Sequence, residues 1–285
     1  DPQFIQTHVG IGYRMVKLYG GFPVDLQRTL QNLNTLARFL GPRDLPEPTP
    51  EALKEHTGLD QLDAAVLFGG SILCGGDEFA HAMQAKLAKH YIIVGGEGHT
   101  TETLRQVAHT ARPGVETAGL PEAKVFAAYL SGAYGLVPDA LECTSTNCGN
   151  NITYLLDLMR EKGFDCGSFL LIQDASMQRR MEAGLRKYAP EARIVNYAAY
   201  QAEFAVRKNH LAFAQPIFGM WQPMRYIDLL MGEIPRLRDD ADGYGPNGRG
   251  FIAHVDIPPE VEAAFAELRS DFSVREANPL YASRA

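Results

Sequence analysis

Ala64-Ala65-Val66-Leu67-Phe68-Gly69-Gly70, followed by Tyr91-Ile92-Ile93-Val94-Gly95-Gly96, is the stretch that decides the fold. Each apolar run ends in a glycine pair, and between them Phe79, Met83 and Leu87 recur at helical spacing. This reads as strand, helix, strand. The runs are continuous rather than alternating, so both faces of each strand are expected to be covered, which favours a parallel sheet. Outward from this unit the pattern repeats. A helix started by Pro121 runs through Leu130, a strand lies near Ala140 to Cys143, and a polar loop leads into a helix from about Ile152 with Leu155, Leu156 and Met159 on one face. Phe169 to Gln173 is a further buried strand, Met181, Leu185 and Tyr188 mark a helix, and Arg193 to Tyr197 is another strand. The expected fold is α/β, a Rossmann-like and mainly parallel sheet sandwiched by helices.

On the N-terminal side, Leu26, Leu30, Leu33, Ala37 and Leu40 share one helical face, Gly41-Pro42 stops that helix, and Thr49-Pro50 reads as a cap followed by proline at the first helical position. Residues 1–58 are therefore taken as a helical segment with linker, 59–203 as the Rossmann-like core, and 204–285 as a less regular part packed on it. In that last part only the helix carrying Val261, Phe265 and Leu268 is clear.

The chain has 285 residues and a formal net charge of −7, which argues against nucleic acid as the main partner. Its four cysteines form no C-x-x-C pair, as expected of reduced thiols in a cytosol. No apolar run approaches the roughly 20 residues of a membrane span, and no basic segment precedes a hydrophobic block. A cytoplasmic location without membrane insertion is expected, with Asp1-Pro2-Gln3-Phe4 a remnant of processing or cloning. Oligomeric state is left open.

The loops at the strand ends hold the chemistry. Ser145-Thr146-Asn147-Cys148-Gly149-Asn150-Asn151 offers several small polar groups at a helix start, where free N–H groups and the dipole favour anions. One of these residues can equally serve only as the helix cap. Gly96-Glu97-Gly98-His99-Thr100-Thr101 resembles a dinucleotide fingerprint, but Thr101 replaces the last glycine and the unit follows the second strand. Glu97 there could accept bonds from ribose hydroxyls, and His99 is the best-placed acid/base histidine. Gln173-Asp174 with Gln178-Arg179-Arg180 brings a carboxylate, amides and two guanidiniums to one strand end, a set suited to carboxylate or phosphate. The alternative is a capping Asp174 beside solvated arginines. The stretch from Arg236 to Arg249, with Asp239 and Asp242, reads as a lid or as a self-paired structural loop. A P-loop, a nucleophile elbow at Ser71, a zinc-hydrolase motif and an EF-hand are each incomplete, and no metal site is expected.

At Ser145 to Gly149, Met177-Gln178-Arg179-Arg180, and Pro235 to Asp240 with Asp242 to Pro246, the chain resembles the YdcF family, cytosolic relatives of the SanA and ElyC envelope proteins. The resemblance extends from about Ala64 to the helix around Val261 and includes Trp221-Gln222-Pro223 and His254-Val255-Asp256. It implies a nucleotide-utilising Rossmann-like domain with S-adenosyl-L-methionine as ligand, and does not imply methyl transfer. The implied pocket comprises Gly69, Gly70, Ser71, Gly95, Gly96, Glu97, Gly98, His99, Glu122, Thr146, Asn147, Asn150, Asn151, Gln173, Asp174, Gln178 and Arg179. Where the membrane-anchored relatives carry a histidine-bearing loop, this chain has Met177-Gln178. The expected function is an adenosyl-ligand or nucleotide-binding protein that could be a transferase, with His99 and Asp174 as candidate catalytic groups. The alternatives are a hydrolase or transferase acting on a phosphorylated envelope precursor, and a non-catalytic sensor of a small molecule.

Overall fold

The computed structural model describes residues 26–98, 100–208 and 210–274. Two helices, α1 (Leu26–Leu40) and α2 (Pro50–Thr57), precede a sheet of five parallel strands. These are β1 (Leu62–Phe68), β2 (Ala88–Val94), β3 (Ala140–Glu142), β4 (Ser168–Ile172) and β5 (Arg193–Asn196), ordered β3-β2-β1-β4-β5. Ala64 sits between His90 of β2 and Phe169 of β4, which fixes the register of the central strands. Between the strands run α3 (Cys74–Gln84), α4 (Thr101–Ala111), α5 (Glu122–Tyr134), α6 (Cys148–Lys162) and α7 (Gln178–Tyr188). The protein is an α/β protein of Rossmann-like architecture.

Period-2 alternation sends the strand side chains into two separate cores. Ala64, Val66, Phe68, Phe169 and Leu171 pack with Ile152, Leu155 and Met159 of α6 and with Met181 and Leu185 of α7. Ala65, Leu67, Ile93, Leu170 and Ile172 pack with Phe79 of α3 and Phe126 and Leu130 of α5. Both faces are dry, which is why the runs are continuously apolar, and each fully buried side chain of this size stabilises the fold by about 1.5–3 kcal/mol.

Thr49 caps α2, its Oγ1 accepting from Ala52 N at 3.2 Å with Pro50 at the first helical position. Two elements differ from the sequence reading. Leu87 lies beyond the end of α3, since the chain turns at Lys86 with φ 55°, though Leu87 is still fully buried. Helix α6 starts at Cys148 rather than near Ile152, because Asn147 caps it: Asn147 Oδ1 accepts from Asn150 N at 2.9 Å.

The C-terminal part is more regular than its sequence suggests. A hairpin of β6 (Phe204–Arg207) and β7 (His210–Phe213) leads to α8 (Pro223–Leu237) and α9 (Pro259–Leu268). Helix α1 packs on α7, α8, α9 and β6. Its buried Asn34 joins the hairpin, accepting from Phe204 N at 2.7 Å and donating to Phe204 O at 3.2 Å. Among the described residues no helix is long and apolar enough to cross a membrane.

Candidate functional site

All five strands point the same way, so their carboxyl ends share one edge. The chain runs outward from β1 to β3 and then returns to β4 on the other side of β1. The crevice at such a reversal is where open α/β sheets bind ligands. Here it holds a cleft of about 230 Å³.

The floor is built from strand-end glycines. A side chain on Gly69 would overlap Glu122 Oε2, and one on Gly96 would overlap the Ser145 carbonyl, so both positions require close backbone approach. Gly70 turns the chain at φ 76°, in the left-handed region. Glu122, the first residue of α5, is 6% exposed and reaches across this floor. Its Oε2 accepts from Gly70 N at 2.6 Å, and its Oε1 from Thr101 Oγ1 at 2.9 Å and Thr100 Oγ1 at 3.3 Å. Burial raises its pKa, while these donors pull the other way.

Asp174 follows β4 and is 1% exposed. Its Oδ1 accepts from Ser176 Oγ at 2.7 Å, Tyr200 OH at 2.8 Å and Ser176 N at 3.0 Å, and its Oδ2 from Trp221 Nε1 at 3.0 Å. Burial raises its pKa against these hydrogen bonds. The loop after β3 is shaped by Glu142, whose Oε1 accepts from Thr144 N at 2.6 Å, Thr144 Oγ1 at 2.7 Å and Ser145 N at 3.1 Å.

Of the residues expected from sequence, Gly69, Gly70, Gly95, Gly96, Glu97, Gly98, Glu122, Thr146, Asn147, Asn151 and Asp174 line the cleft, as do Arg236 and Arg249 of the candidate lid. His99 lies outside the described residues. The others stand behind the wall or face elsewhere. Ser71 is buried beside Gly75, and its Oγ has no hydrogen-bond partner among the described residues. Asn150 is bonded to Asn147, whose Nδ2 donates to Asn150 Oδ1 at 2.7 Å. Gln173 and Gln178 are fully buried ties: Gln178 Oε1 accepts from Gln173 N at 2.9 Å, and Gln173 Nε2 donates to Gly69 O at 3.0 Å. Arg179 turns to α1, where its Nε donates to Phe39 O at 3.1 Å and its guanidinium lies over the Phe39 ring. Asp239 and Asp242 are not among the residues lining the cleft, and Asp239 accepts from Asn247 N at 2.6 Å and pairs with His254 Nδ1 at 2.7 Å. Glu97 is exposed at the rim and pairs with Arg105 at 2.6 Å.

The opposite wall is the one the sequence reading did not assemble. Arg225, Leu229, Glu233 and Arg236 line the cleft from a single face of α8, at helical spacing. Facing them, Arg180 enters from α7 and forms a two-pronged pair with Glu233, Nε to Oε2 at 2.5 Å and NH2 to Oε1 at 3.0 Å. Arg236 also approaches Glu233, at 3.7 Å. Tyr244, Arg249, Phe251 and Ile252 close the far side. The i, i+4 stripe of Trp221, Arg225, Leu229 and Glu233 was the available signal.

Among the described residues no three His, Cys, Asp or Glu side chains converge as a metal site requires. No family model matches the chain.

Proposed function

We propose that this cleft binds S-adenosyl-L-methionine, as the resemblance to the YdcF family implies. One observation carries the reading: Glu122 Oε2 already accepts the Gly70 N–H, at 2.6 Å. In dinucleotide-binding Rossmann domains the loop after the first strand gives its backbone amides to a pyrophosphate. Here that donor is engaged whether Glu122 is protonated or not, and the ionised form would add repulsion toward a phosphate. A sulfonium cation would meet attraction from that ionised form at the same place. Glu97 at the rim supplies an acceptor for ribose hydroxyls.

Asp174 accepts from four donors, which fits an anchor for the cleft wall better than a mobile base. The reading is therefore of a binding site, with group transfer from the bound ligand as its chemical consequence if a second substrate enters. The arginines on the α8 side favour a second reading, an enzyme acting on a phosphorylated precursor.

Thermal unfolding with S-adenosyl-L-methionine, S-adenosylhomocysteine, ATP, NAD and a sugar phosphate separates the two. A ligand at 100 times its Kd adds about 2.7 kcal/mol to the folded state. The expected result is a shift with the adenosyl sulfur compounds and none with NAD. Stabilisation by phosphates alone would replace this reading with the second.

A further inference from the structure

The four arginines that line the cleft are not equivalent. Arg180 is held by Glu233 through two contacts, and Arg236 shares the same carboxylate. Glu233 thus draws on both guanidiniums within the wall, Arg180 the more closely. Arg225, in the first turn of α8, makes no ion pair or hydrogen bond through its side chain among the described residues. Arg249 lies 5.8 Å over the Tyr244 ring and is likewise without a carboxylate among the described residues. The buried carboxylates of Glu122 and Asp174 line the strand-end floor of the same cleft. These two carboxylates thus lie on the strand-end floor, and the arginines without a carboxylate partner among the described residues come from other elements.

We infer that Arg225 and Arg249 form an anion subsite that selects ligands ending in a carboxylate or a phosphate. The inference rests on reading the cleft as a ligand site and extends it to the charged end of the ligand. Guanidinium groups match planar carboxylate and tetrahedral phosphate oxygens through paired N–H donors. An arginine already paired with a buried glutamate has fewer donors to offer. In S-adenosyl-L-methionine the group so held would be the amino-acid carboxylate, and in a phosphorylated ligand the terminal phosphate.

Calorimetric Kd values test this on the wild type, Arg225→Gln, Arg249→Gln and the double variant. The probes are two matched pairs: S-adenosyl-L-methionine against 5′-methylthioadenosine, which lacks the amino-acid end, and AMP against adenosine. The expected result is that the carboxylate- or phosphate-bearing member of at least one pair binds the wild type at least tenfold more tightly than its partner. Each substitution should remove about tenfold of that preference and leave the Kd of the uncharged partner unchanged. Dependence on the arginines in the first pair supports both the adenosyl-methionine reading and the subsite. Dependence in the AMP pair alone keeps the subsite and discards that reading. The subsite is overturned if the double variant keeps the wild-type preference, if both members of a pair weaken equally, or if the wild type prefers neither the carboxylate-bearing nor the phosphate-bearing probe. Urea midpoints of the variants should stay close to the wild type, since among the described residues Arg225 carries no side-chain hydrogen bond or ion pair and Arg249 has only its contact over the Tyr244 ring.

Discussion

The two sides of the cleft spend their polar groups differently. On the strand-end side almost every polar side chain is committed to its own chain: Glu122 to Gly70 and Thr101, Asp174 to Tyr200 and Trp221, Asn147 to Asn150. On the α8 side two guanidiniums share Glu233, and Arg225 and Arg249 have no carboxylate partner among the described residues. The first side sets the shape of the cleft, and the second leaves charge to offer. A polar loop at a strand end is thus no measure of how much of it reaches a ligand.

Substitutions should break this comparison cleanly. The largest effect is expected at Asp174. Replacing it by alanine strands the Tyr200 hydroxyl, the Trp221 indole N–H and the Ser176 donors in a dry site, at a cost on the order of 3–5 kcal/mol, since each unpaired buried donor costs about 1–3 kcal/mol. Urea unfolding measures this. A loss below 1 kcal/mol would mean that water reaches these groups and that the strand-end side is not internally satisfied.

Next comes Asn147→Ala, which removes the α6 cap and should cost about 1 kcal/mol. It should leave ligand affinity within about twofold, because the Asn147 carboxamide is bonded to Asn150 on both sides. A large loss of affinity at unchanged stability would move Asn147 from scaffold to binding group.

The smallest effect is expected at His254, which holds the loop bearing Arg249 through Asp239 and Asp256. The hydrogen bond that His254 donates to Asp239, then the one it donates to Asp256, raises its pKa above the ordinary value of 6.5. A raised cationic pKa contributes stability that is fully present below about pH 6.5 and is lost as pH rises through the higher folded value. Comparing wild type with His254→Gln from pH 5 to pH 9 should show their stabilities converging toward the alkaline end. Parallel curves would show that the imidazolium does not support the loop.

Much of the sheet was legible because two cores force continuous apolar runs ending in glycine, as at Phe68-Gly69 and Val94-Gly95. Helix α8 was not. Tyr226, Ile227, Leu230, Met231 and Ile234 give it a buried stripe, but prolines at its first turn and at Pro235 in its last read as interruptions. The start of α6 was hidden for a related reason, since Cys148-Gly149-Asn150-Asn151 are poor helix formers that an Asn147 cap nevertheless initiates. Choosing between Arg179 and Arg180 lay beyond the sequence. Adjacent helix positions diverge by about 100°, and only the docking of α1, which offers the Phe39 carbonyl, shows which one turns away from the cleft.

Glu233 has a kinetic consequence. Its two-pronged bond to Arg180 rivets α8 to α7 in a setting where both side chains are nearly buried, 6% and 12% exposed. Swinging that wall outward would separate two desolvated charges, so the entrance is set when the chain folds and not when a ligand arrives. Capture should then follow a single exponential whose rate rises linearly with concentration and shows no plateau from a slow opening step.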